Sequence, residues 1–121
     1  MIGVQEKPFS VDAVLKSVAD PKAGAVAVFI GTVRKEEGVR ALDYEAFDEM
    51  AVNQLENLRD KAVKKFGLAK VSIIHRKSRL RPGERVVIIA VSAPHRQEAF
   101  KGCEWLINEL KKVVPIWKRE V

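Results

Sequence analysis

Lys111 and Lys118 lie seven residues apart, with Pro115 between them. Proline cannot continue a helix without losing a hydrogen bond and clashing with the preceding turn, so the chain must break there. Two amines can then approach one pocket from different backbone directions. A lysine that is desolvated or crowded by other cations loses affinity for its proton and can act as base or nucleophile near neutral pH. One that keeps its charge stabilises a developing oxyanion or a phosphate instead. Both chemistries stay open from these residues alone. Ile116 and Trp117 offer apolar area that could dock the segment holding Lys118, Arg119 and Glu120, and so hold its charges in place.

A second group is His95-Arg96, directly after Pro94 at the expected start of a helix. Unpaired backbone N–H groups and the positive end of the helix dipole favour an anion there. Arginine adds a planar fork for phosphate, and histidine a group that titrates near neutral pH. Arg34 closes an apolar run after Gly31, Thr32 and Val33, and the glycine permits close backbone approach. His75-Arg76 sits within an alternating strand and reads as structural or interfacial. The lone Cys103 shares a helical face with Ala99, Leu106 and Leu110, so it reads as a buried thiol rather than a nucleophile. One cysteine excludes an internal disulfide and any thiolate-built zinc or iron–sulfur site. There is no phosphate-binding Gly-Lys-Ser/Thr loop, no Gly-x-Ser-x-Gly elbow and no histidine pair at metal spacing.

The elements that must position these groups follow from periodicity. Ser10 caps a short helix over Val11–Ala19, which Asp20-Pro21 and Gly24 stop. Ala25–Arg34 and Val39–Phe47 read as strands forming a hairpin around Lys35–Gly38. Ala51, Leu55, Leu58, Ala62 and Phe66 recur at three and four, marking an amphipathic helix over Glu49–Phe66 that Gly67 ends. Val71–His75 and Arg85–Ser92 are strands joined across Arg81-Pro82-Gly83-Glu84. Pro94 opens a second long helix with the stripe Ala99, Cys103, Leu106, Leu110 and Val114, and the tail after Pro115 is extended. From Val39 the order is strand, helix, strand, strand, helix, strand, which matches the split β-α-β pattern of ferredoxin-like folds.

At 121 residues with 47% hydrophobic content, the expectation is one domain, residues 1–121, with one real core. No apolar run is long enough to span a bilayer, and the amino terminus lacks the basic-then-apolar pattern of a secretory signal, so a cytoplasmic protein is expected. The net charge of +6 is concentrated between Arg59 and Arg85. Such a run can steer phosphates, RNA or an acidic protein. Few aromatics interleave it, which makes a non-catalytic ferredoxin-like module binding RNA or an acidic partner the alternative reading rather than the first.

Taken together, Phe29–Arg34 (FIGTVR), Ile74–Arg76 (IHR), Ser92–Arg96 (SAPHR) and Leu110–Glu120 (LKKVVPIWKRE) resemble the large, catalytic subunit family of molybdopterin synthase. The likeness runs from about Val11 to the end with order and spacing kept, and is far more specific than any one motif. It implies an α/β (α+β) fold of α/β-hammerhead type, a ferredoxin-like split β-α-β core with an added N-terminal helix and strand. It further implies a sulfurtransferase of molybdenum cofactor biosynthesis that converts cyclic pyranopterin monophosphate into the dithiolene molybdopterin, with no metal or cofactor of its own. The sulfur would come from the thiocarboxylated C-terminal glycine of a small ubiquitin-like carrier. The expected assembly is a homodimer at the centre of a heterotetramer. The resemblance assigns substrate contacts to Thr32, Val33, Arg34, His95, Arg96, Lys111, Lys118, Arg119 and Glu120, with Lys111 and Lys118 catalytic. A thiocarboxylate is already a sulfur nucleophile, so such an enzyme needs cations rather than a reactive cysteine. Two departures stand out: chains of that family commonly continue past the Lys-Arg-Glu segment, whereas this one stops at Val121, and the loop at Lys35–Gly38 is short. Pocket closure by an extension and the fine position of Arg34 are therefore expected to differ.

Overall fold

The computed structural model describes all of residues 1–121. Its elements run β1 (Ile2–Gln5), α1 (Val11–Ser17), β2 (Ala25–Thr32), β3 (Leu42–Ala46), α2 (Asp48–Phe66), β4 (Lys70–Arg76), β5 (Ser78–Leu80), β6 (Arg85–Ala93), α3 (Arg96–Val113) and β7 (Ile116–Glu120). They build a four-stranded sheet, β1-β4-β6-β2, and a three-stranded sheet, β5-β3-β7. β6 runs antiparallel to both β4 and β2. That makes β2–α2–β4 a split β-α-β unit with β6 inserted between its parallel strands.

The α/β class and the split unit agree with the sequence, while the strand that fills the unit does not. The expected count took Val39–Phe47 as a core strand and paired it with β2 in a hairpin. β3 instead lies in the second sheet, between β5 and β7. Its partner positions explain this. After a register shift at Gly31/Thr32, Val33 stays against the β5–β6 turn, its N–H donating to the Glu84 carbonyl at 2.9 Å and its carbonyl accepting from Gly83 N–H at 2.8 Å. The chain thus leaves the first sheet before it can turn back on β2, and only an isolated bridge, Glu36 to Val39, remains of the hairpin.

Two short strands had no signal strong enough to read. β1 has four residues including a glycine, and gains its order only by parallel pairing with β4. β5 has three residues and begins at Ser78, whose φ of 142° marks the bend where the chain passes from one sheet to the other. α1 is two residues shorter than expected but is capped as expected, the Ser10 hydroxyl accepting from Ala13 N–H at 3.1 Å.

Both faces of the larger sheet are covered. Val14 of α1 and Val18, its C-cap, pack on Ile74, Ile88 and Ala90. The opposite face carries α2 and α3, whose Leu55, Leu58, Leu106 and Leu110 are buried against Ile73, Ile89 and Val91. Each such leucine contributes about 1.5–3 kcal/mol by leaving water. Phe66 and Trp105 meet edge to face at 6.0 Å where the two helices touch. Gly67 ends α2 in the left-handed conformation at φ 66°, which a glycine adopts without steric cost. The stripe Ala99, Cys103, Leu106, Leu110 and Val114 is buried throughout, as its spacing requires.

Candidate active site

Pro115 ends α3 and the chain re-enters as β7, which pairs along its whole length with β3. Period two then sorts the tail. Ile116 and Lys118 share the face that meets the core side of β3, where Lys118 lies opposite Tyr44. Trp117 and Arg119 take the other face. There Trp117 packs edge to face on Phe47 at 5.1 Å, and Arg119 Nη2 donates to Asp43 Oδ2 at 3.1 Å. Asp43 also accepts from Arg79 Nε at 2.8 Å, so one carboxylate ties β5, β3 and β7 together. The hydrogen bonds from Arg79 first and Arg119 second hold its carboxyl far below the usual range, at about 2.

Lys111 sits in the last turn of α3, and with Lys118 it lines a cavity of about 470 Å³ between α3, the larger sheet and β7. Thr32, Tyr44 and His75 complete the polar lining, and Phe29, Val87 and Leu110 are among its apolar walls. Both lysines are exposed and neither takes an ion pair within the chain, so both ammonium groups are available to a ligand. Gly31 forms part of the floor. A Cβ there would fall 2.7 Å from Val87 Cγ1, so the close approach read from the sequence is a steric requirement.

The structure brings three of the expected residues, Thr32, Lys111 and Lys118, to this cavity. Val33 is buried in the core at 4% exposure with both backbone groups engaged, and it fixes Thr32 and Arg34 on either side. The Arg34 side chain is 85% exposed, with Nη2 3.2 Å from Glu36. Glu120 is exposed at the end of β7, opposite Leu42, and Arg119 faces away from Lys118. His95 is the N-cap of α3 with no side-chain cap bond, its Nδ1 3.5 Å from Glu98, and Arg96 beside it is exposed and unpaired. Fifteen residues of helix separate Arg96 from Lys111, about 22 Å at the α-helical rise, so the two cationic groups occupy opposite ends of α3.

Cys103 is buried, and desolvation pushes its thiol up to about 11, which agrees with a packing role. Arg76 is structural too: at 7% exposure it donates to the carbonyls of Glu6 and Arg85. Part of the basic run is paired internally, Arg59 with Glu56 and Asp60, Arg76 with Glu84, Lys77 with Asp48, and Arg79 with Asp43. Among the polar cavity residues, Tyr44 was not singled out in the sequence, and His75 was read as structural or interfacial. His75 has the same parity as Ile73, and an imidazole on the core side of a strand is the signal that could have found it.

The sequence pattern of the MoaE protein family matches residues 4–113. The chain belongs to the MoaE family. It is 39% identical to the molybdopterin synthase catalytic subunit of Pyrococcus abyssi, over 99% of this chain and 84% of that protein. It is 40% identical to the molybdopterin synthase catalytic subunit of Bacillus subtilis, over 98% of this chain and 77% of that one. Among solved structures, molybdopterin synthase from Staphylococcus aureus superimposes with a TM-score of 0.94 at 36% identity, covering 98% of this chain and 89% of that one. A chain in the complex of subunits 1 and 2 of the Helicobacter pylori molybdopterin-converting factor shares the fold, with a TM-score of 0.83 at 23% identity and coverage of 98% and 83%. In this MoaE-family chain the mixed α/β architecture of three helices and two sheets places the lysine-lined cavity where the sheets meet.

Proposed function

We propose that this chain, as one functional unit over residues 1–121, catalyses the molybdopterin synthase reaction of molybdenum cofactor biosynthesis. The observation that carries the reading is the meeting of Lys111 and Lys118, from two different elements, in one cavity beside Thr32. The relatives named molybdopterin synthase catalytic subunit support it. The substrate is cyclic pyranopterin monophosphate, and the sulfur donor is the thiocarboxylated C-terminus of a small ubiquitin-like carrier. The Helicobacter pylori two-subunit complex is consistent with such a partner. The carrier's sulfur forms a bond to a substrate carbon as a carbon–oxygen bond there breaks, the oxygen staying with the phosphate or leaving as water; a second water then cleaves the acyl–sulfur bond, and the carrier leaves as carboxylate, once for each sulfur.

Each step gathers negative charge near a cation. The two lysines stabilise the oxyanion formed as water adds to the acyl carbon, and one of them can pass the proton that water loses. Arg34, His95 and Arg96 hold the phosphate and pterin, with Val33, Arg119 and Glu120 framing the same substrate region. Since α3 keeps Arg96 about 22 Å from Lys111 along one chain, the reading has a second copy supply His95 and Arg96 to each site. The working assembly is a homodimer with a carrier at each end, acting in the cytoplasm, and no helix is long and apolar enough to cross a membrane.

The test is mass-spectrometric detection of dithiolene pterin after mixing the protein with thiocarboxylated carrier and cyclic pyranopterin monophosphate. Losing one well-placed donor of this kind costs about 100- to 1,000-fold in rate, so Lys111→Ala and Lys118→Ala should each fall by that much. Because both side chains are exposed, their thermal stability should match wild type. Near-normal turnover in either variant removes that lysine from the mechanism. No product from wild type with bound carrier would sink the catalytic reading.

A further inference from the structure

His75 lies on the core side of β4, level with Val87 of β6 and Gly31 of β2, and opens onto the cavity. The residue is 6% exposed, and its Nδ1 stands 2.7 Å from the Arg76 carbonyl oxygen. A carbonyl can only accept, so Nδ1 carries the ring proton and donates it, and Nε2 of the neutral ring is a bare acceptor. Nε2 has no hydrogen-bond partner within the chain, yet it is not sealed off from the cavity. Burial lowers the imidazole's affinity for a second proton, against a smaller opposing effect of the Arg76 bond, which keeps the ring neutral. Tyr44, tilted against the ring at 5.7 Å, fixes its plane.

The neighbouring groups define what this acceptor is for. Lys111 and Lys118, the charged groups of the lining, only donate, and the hydroxyls of Thr32 and Tyr44 can do either. The Arg76 guanidinium is engaged with carbonyls of Glu6 and Arg85 and with Glu84. Among the lining side chains, neutral His75 alone offers an acceptor without a competing donor on the cavity side. A ligand N–H finds in Nε2 the one lining side-chain acceptor that brings no donor of its own, and a buried donor left unpaired is costly.

We propose that His75 is a further ligand-binding residue, its Nε2 accepting a hydrogen bond from an N–H donor of the molecule that fills the cavity. This rests on the synthase reading, which provides two sources of that chemistry: the N–H groups of the reduced pterin, and the backbone amides of the carrier tail. The residue binds and orients; it needs no proton of its own to transfer.

The experiment measures steady-state kinetics of the assembled enzyme, varying pterin and thiocarboxylated carrier separately, for wild type, His75→Asn and His75→Gln. Asparagine keeps a donor near Nδ1 for the Arg76 carbonyl but has no atom at the Nε2 position, whereas glutamine restores a polar group there. His75→Asn should raise KM for the donating ligand about 10-fold with a smaller change in kcat, and His75→Gln should recover most of it. A rise for pterin alone assigns the donor to the pterin, a rise for carrier alone to the tail, and a rise for both to the point where they meet. KM values for both ligands within about twofold of wild type in folded His75→Asn would overturn the proposal. So would equal losses in both variants accompanied by a lower Tm, the signature of packing alone. Wild-type turnover in the same run separates these outcomes from failure of the synthase reading, which would take the proposal with it.

Discussion

Gly31→Ala tests how the cavity floor is built, and its cost can be worked from distances. The added Cβ would stand 2.7 Å from Val87 Cγ1 and 3.3 Å from Phe29 Cε2. Carbon atoms pack best at about 3.5–4.0 Å, so Val87 must retreat by roughly 1 Å. It has little room, being 5% exposed and held in register between Gly31 on one strand and His75 on the other. Overpacking of this kind costs about 1–3 kcal/mol. At about 2.1 cal/mol/K per residue, a chain of 121 residues unfolds with an entropy near 0.25 kcal/mol/K, which turns that cost into a Tm lower by about 4–12 °C. Thermal and urea unfolding of Gly31→Ala, Val87→Ala and the double variant make the test specific. If the clash is the source, Val87→Ala should cost about 1 kcal/mol less in the alanine background than in wild type, because the offending methyl is gone. A Tm within about 1 °C of wild type for Gly31→Ala, or an additive cycle, would refute the reasoning.

Asp43 predicts an acid-sensitive second sheet. Its folded pKa of about 2 lies below the unfolded value, so its stabilisation is complete above about pH 5 and drains away as pH falls toward 2. The Tm gap between wild type and Asp43→Asn should shrink over that window, and a gap constant from pH 6 to pH 2.5 would count against the clamp. Cys103, buried with its thiol raised to about 11, should react with iodoacetamide at pH 8 far more slowly than in the urea-unfolded chain, and equal rates would place it at the surface. If each site takes His95 and Arg96 from one copy and the lysines from the other, mixing His95→Ala with Lys111→Ala should restore on the order of a quarter of wild-type activity. Mixtures no more active than their components would put both groups of one site on a single chain.

The helices were legible because each has a terminal signal, Ser10 for α1, Gly67 for α2 and Pro115 for α3, and α2 and α3 add a long periodic stripe. Strand existence was legible in β2, β4 and β6, which are seven residues or longer and rich in Val and Ile. Pairing was not, because it depends on which edge a strand can reach. Nothing local to Lys35–Gly38 records that the backbone of Val33 is already bonded to Glu84 and Gly83. β1 and β5 failed for a different reason, being too short to show a period. Lys111 and Lys118 could be paired in advance because Pro115 marks where the backbone must turn, whereas Thr32 was named only by the family resemblance. Tyr44 and His75 could not, since each looks like an ordinary strand position until the two sheets are placed together.

That joint explains why chemistry concentrates at this spot. Alone, the larger sheet would offer Gly31, Val87 and His75 as a flat floor under α3. The smaller sheet stands against it through β3 and β7, whose core-facing Tyr44 and Lys118 become a wall. Asp43 sits on the opposite face of the same strands and binds Arg79 and Arg119. The clamp and the wall are thus two faces of one three-stranded ribbon, and loosening the clamp should displace Lys118 without touching it. Removing the Asp43 carboxylate should therefore lower turnover as well as stability at neutral pH, while Lys112→Ala, at the exposed end of α3 and outside the cavity, should do neither.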